Sequence, residues 1–196
     1  MNDEGFLTVA ATSTVLRDLR WASSSLFELF VAWAAEVEPE HGDVAVWLSS
    51  TGRHLGEQAE NLQALMPDSV LLSDLTAPGA PGAPSAEPEG ALEAIRGVSG
   101  SVVRLAIAQR VLLAQLSESC ESVQRLAEPH ADAPLLRALG FLLLDLRNDG
   151  DAGRLLLGAL RDSSTDQHVT AAVTEAERRL VLAGGLVPAV PSAVLR

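Results

Sequence analysis

The chain has 196 residues, a formal net charge of −12, an apolar fraction of 47% and 20% charged residues, the balance of a globular protein with one core. So acidic a chain repels nucleic-acid phosphates and anionic lipid, and its single cysteine, Cys120, excludes an internal disulfide. No run reaches the ~18 apolar residues of a membrane span, and the acidic N-terminus lacks the basic segment of a secretory signal.

These features predict a cytoplasmic protein with no nucleic-acid or membrane partner. All 14 basic residues are arginine, and with the Ala/Leu/Gly bias this points to a GC-rich bacterial genome.

Prolines at 39, 67, 78, 81, 84, 88, 129, 134, 188 and 191 divide the chain. A proline inside a helix costs about 3 kcal/mol, so helices belong in the windows between them. The first predicted helix covers about 10–37, where Leu16, Leu19, Ser23, Leu26, Phe30, Trp33 and Val37 recur in steps of three and four. The second, about 43–66, carries Leu48, Thr51, Leu55, Gln58, Leu62 and Leu65.

A Pro/Gly-rich crossover, 67–88, follows. The third helix is predicted over 89–128, with Leu92, Ile95, Ser99, Val102, Ala106, Gln109, Leu113, Leu116, Cys120, Val123 and Ala127 on one stripe. In it, Gly97 and Gly100 are expected to permit a close approach or a bend. The fourth, about 133–162, presents Leu135, Leu139, Leu142, Leu146, Asp149, Gly153, Leu156 and Leu160, and Asn148–Asp151 is a candidate kink or break.

A shorter fifth helix, about 165–183, uses Val169, Ala172, Ala176 and Leu180. Ser163–Thr165 can cap its start and Gly184–Gly185 can stop it. Sustained 3–4 spacing is the mark of helices packing nearly parallel.

Short links at 38–42 and 129–134 force antiparallel hairpins. About 20 extended residues reach ~66 Å, more than the ~40 Å of a helix of about 27 residues. The crossover can therefore run from one end of the bundle to the other. The fold class expected is all-α: a single-domain antiparallel four-helix bundle, 1–196, with an additional C-terminal helix.

Two hairpins joined by one long crossover resemble the ferritin-like superfamily, over roughly residues 10–162. Active members of that superfamily hold a dinuclear iron or manganese site, with a Glu from helices one and three and Glu-x-x-His from helices two and four. Here helix two reads Glu57-Gln-Ala-Glu60, helix four reads Asp145-Leu-Arg-Asn148, and helix three has no acid between Glu93 and Glu118.

Periodicity places Ser23, Thr51, Gln58, Ser99, Gln109, Cys120 and Asp149 inward, with Trp33 on the core stripe. Only one of these is a carboxylate, whereas a hard dinuclear site needs about four. No metal is therefore expected, and Ser23, Thr51, Gln58, Gln109, Asp149 and Trp33 are the interior or pocket candidates. If iron or manganese does bind, the available ligands are Glu28, His54, Glu57, Asp145 and Asp149.

His41, His54, His130 and His168 form no paired motif, and His54 falls at the core boundary on the stripe Trp47, His54, Asn61. Cys120 reads as a small buried hydrophobe. The expected function is a metal-free ferritin-like bundle acting as a binding or assembly module. It would be a homo-oligomer or dock a protein partner, a basic one being suited to the acidic first hairpin. The alternative is a divergent ferritin-like enzyme, either a metal oxygenase or a metal-free pocket enzyme of specialised metabolism.

Overall fold

The computed structural model describes residues 7–66, 86–160 and 166–188, and their regular structure is all-α. The first helix, α1 (Val9–Ala35), starts where the Thr8 hydroxyl accepts from the Ala11 amide at 3.1 Å, satisfying one of the free donors of a helix start. Its predicted stripe from Leu16 to Trp33 is buried. Pro39 opens a single 3₁₀ turn, Pro39–His41, and α2 (Gly42–Ala64) runs back along α1.

Most of the crossover lies at 67–85, outside the described residues. Chain description resumes with α3 (Ala86–Arg96), which begins earlier than the predicted 89. Pro88 sits in its first turn, where the missing N–H breaks no helical bond.

The predicted helix 89–128 is corrected to a broken one. After α3 comes a gap at 97–100, then α4 (Ser101–Ile107), a π turn (Ala108–Leu112) and α5 (Leu113–Leu126). Gly100 has φ +91°, a conformation that an L side chain rarely adopts. It turns the chain, so Ser99 is exposed and not inward as its spacing implied.

One distant and one nearby side chain brace the break. The Trp33 indole N–H donates to the Arg96 carbonyl at 3.1 Å, and Arg104 Nε donates to the Val98 carbonyl at 2.8 Å.

The next helix, α6 (Ala133–Leu160), is continuous, and the kink or break considered at Asn148–Asp151 does not occur. Leu146, Gly153 and Leu157 are buried on either side of those four residues, so packing overrides their turn preference. The last helix is α7 (Asp166–Leu182); its proposed N-cap at Ser163–Thr165 falls outside the described residues. Its end follows the expected glycine stop. Gly185 N–H donates to Leu180 O at 2.8 Å and Gly184 N–H to Val181 O at 3.1 Å, both glycines at positive φ, a Schellman closure.

Beyond it Leu186 is buried and its amide donates to Gln115 Oε1 at 3.1 Å, tying the tail to α5.

The helix α2 also packs along α6, and α6 along α5; α1 touches α5 more lightly. On the other side α7 lies against α4, the π turn and α3. Among the described residues, no helix is long and apolar enough to cross a membrane.

Candidate functional site

Polar side chains meet in a seam between α2 and α6. Residues four apart stack on one helix face, so α2 presents His54 and Gln58 there and α6 presents Asp145 and Asp149. His54 Nδ1 lies 2.9 Å from Asp149 Oδ2 and 3.2 Å from Oδ1. Gln58 Nε2 donates to Asp145 Oδ2 at 2.6 Å, and Asn61 Nδ2 donates to Gln58 Oε1 at 3.3 Å.

Trp47 sets the height of the seam. Its indole N–H donates to the Asp149 carbonyl at 2.9 Å, and its ring packs directly against Gly153. A Cβ there would stand 2.7 Å from Trp47 Cζ2 and 3.1 Å from Gln109 Cγ, closer than packed atoms tolerate. Gly153 is thus the floor that lets Trp47 and the π-turn residue Gln109 approach α6. π turns recur at functional sites, which makes this the place to look for chemistry.

Burial raises the Asp149 carboxyl above its ordinary range; His54 counteracts this by hydrogen bond and charge, and the Asp145 charge adds to the rise. His54 Nδ1 faces the carboxylate, and the His54 side chain is 30% exposed. An imidazole paired with a carboxylate is an arrangement used in general acid–base catalysis. Among the described residues, however, no group of three or more His, Cys, Asp or Glu converges to hold a metal ion.

The sequence candidates divide accordingly. His54, Gln58, Asp145 and Asp149 come together, with half-buried Gln109 nearby, and the seam holds two carboxylates where spacing put only Asp149 inward. Glu28 and Glu57 do not join them. Glu57 is exposed beside Arg53, and Glu28 lines a groove of about 370 Å³ between α1 and α3 with Arg20, Trp21, Ser25 and Glu93. The hydroxyls of Ser23 and Thr51 are buried without a hydrogen-bond partner. Trp33 is core, stacked on Phe30 at 6.2 Å between ring centroids.

No family model, curated protein or solved structure matches this chain. Its chemistry has to be read from its own residues.

Sequence reasoning missed two features. Trp47 was visible on the stripe with His54, but nothing in α6 marked Gly153 as its seat. A second polar cluster also escaped notice, at the α1–α2 link. There Arg104 is buried, with Nη2 donating to Glu36 Oε2 at 2.6 Å and the guanidinium 5.9 Å over the Trp33 ring. Beside it the Ser101 amide and hydroxyl both donate to Glu38 Oε2. Glu38 lies below the ordinary carboxylate range, chiefly through hydrogen bonding to its own backbone amide and then to that of Ser101.

Proposed function

We propose that this chain is a non-catalytic helical scaffold of ferritin-like connectivity that works by association, its docking surface being the outer face of α6. The connectivity is supported by the neighbour order α1–α2–α6–α5, which α1 and α5 close into a ring, and by the segment 67–85 between the two hairpins. A dinuclear iron or manganese group does not fit the residues present. Asp145 and Asp149 are engaged by Gln58 and His54, and Glu28 and Glu57 lie outside the seam.

One observation carries the association. On α6 the core is served by Leu135, Leu139, Leu142, Leu146, Gly153 and Leu157. At ~100° per residue, Phe141, Leu144, Ala152, Leu155 and Ala159 form a second stripe about 150° away. All are exposed, Phe141 by 56%, Leu144 by 50% and Leu155 by 75%. Three large apolar side chains aligned with two alanines on one exposed helix face mark an interaction surface.

Sedimentation equilibrium with elemental analysis tests the reading. The native chain is expected to exceed its 20.6 kDa monomer mass. Phe141→Glu with Leu155→Glu is expected to return it to monomer without changing helix content. A monomer at every concentration overturns the association, and near-stoichiometric iron or manganese favours the oxygenase alternative.

The metal-free enzyme reading rests on the pairing of His54 with Asp149. It requires a bound small molecule that His54→Gln releases.

A further inference from the structure

We infer that the occupant of the outer α6 face is a second copy of this chain, lying antiparallel across it about a two-fold axis at Asn148; the inference rests on the association reading above. Without its last member, Ala159, and with Asn148 at its centre, the stripe reads the same in both directions. Phe141, Leu144, Asn148, Ala152 and Leu155 are separated by 3, 4, 4 and 3 residues. A two-fold axis at Asn148 therefore sets Phe141 of one copy against Leu155 of the other, and Leu144 against Ala152, twice over. An isologous interface requires this self-complementarity.

Two polar features fit the same axis. Asn148, the one polar member of the stripe, meets its own copy, and a carboxamide can donate and accept at once. A lone buried Asn between helices is a known device for fixing register. The edge of the stripe carries Arg147 and Asp151. In an antiparallel pair like edges face each other, so Arg147 of each copy comes within about two residues, ~3 Å along the axis, of Asp151 of the other. Asp151 now makes only an exposed pair with Arg154, at 2.7 Å.

The area sets the strength. A helix of 28 residues is ~42 Å long and ~10 Å wide, so each copy offers roughly 400 Å². That is about half of what a stable complex buries per partner. The dimer is therefore concentration-dependent and weakened by salt.

Cysteine crosslinking of the full-length chain decides the geometry. Cys120 is fully buried, and burial pushes its thiol up to about 12, so added surface cysteines report alone. Under mild oxidation Asn148→Cys is expected to form covalent dimer. Leu144→Cys and Ala152→Cys are expected to crosslink several-fold more when mixed than when either is oxidised alone. An associated chain that crosslinks at neither place, or as Leu144→Cys with itself, overturns the antiparallel pairing while the association stands. A monomer at every concentration overturns both.

Discussion

The cluster around Arg104 and the seam around His54 both place charge between helices, but they satisfy it differently. Arg104 is committed on three sides at once: to the Val98 carbonyl, the Glu36 carboxylate and the Trp33 ring. A planar guanidinium that stays charged at any working pH can serve all three. The His54 seam is a chain of pairs, His54 with Asp149 and Gln58 with Asp145, in which burial holds the Asp149 carboxyl above its ordinary range. The first arrangement locks the break between α3 and α4, and Glu38 beside it, held below the ordinary carboxylate range, lets go only as pH falls. The second joins α2 to α6 with a strength that solution conditions can change.

The largest effect should come from breaking the locked cluster. Arg104→Ala removes a buried cation's bonds and its packing on Trp33, and is expected to cost about 3 kcal/mol in urea unfolding. Arg104→Lys, which cannot reach all three partners together, should recover only part of it.

Next is the floor of the seam. Gly153→Ala drives a methyl into the Trp47 ring, and a loss of about 2 kcal/mol is expected despite alanine's better helix propensity. The same substitution at exposed Gly158, where a Cβ meets nothing within 4 Å, should stabilise by up to ~1 kcal/mol.

The pH response separates the two clusters further. Asp149 is held above its unfolded value of 3.8, so the folded chain binds the extra proton. Its contribution is therefore present below that value and is lost as pH rises through the folded one. Unfolding of native protein and Asp149→Asn across pH 3.5–6 should show native stability falling relative to the variant as pH rises. A difference that stays flat would mean that the carboxyl is not perturbed. The smallest effect is expected at Thr51→Val, which removes a buried hydroxyl without a partner and should be neutral or stabilising by less than ~1 kcal/mol.

The core stripes of α1, α2 and α6 were legible because each repeats in steps of three and four, with proline marking the end of α1, both ends of α2 and the start of α6. The gap at 97–100 was legible only as a bend or close approach at its glycines, within one continuous helix. Gly97-Val-Ser-Gly100 is short enough for a helical register to pass through it on paper, and only the φ of Gly100 reveals the turn. That is why Ser99 was assigned inward. Asn148–Asp151 misled in the other direction, since local preference for a turn yields to the leucines packed above and below. For the seam, spacing identified Gln58 and Asp149 as inward and left His54 at the boundary. Which helices adjoin, and at what height, is a property of the packing, so no one-dimensional pattern could pair His54 with Asp149 or seat Trp47 on Gly153.

The π turn at Ala108–Leu112 accommodates one residue more than an α-helix would over the same length. Since each residue turns a helix by ~100°, that surplus lets the apolar stripes of α4 and α5 face different directions while the rod runs on. The part before it, α4, is buried all along its length against α7, α6 and α2, and the part after it, α5, lies against α6 and α1. Deleting a single residue within the turn would restore uniform winding and swing one stripe off its neighbour. The register of the second half of the protein thus depends on one surplus residue.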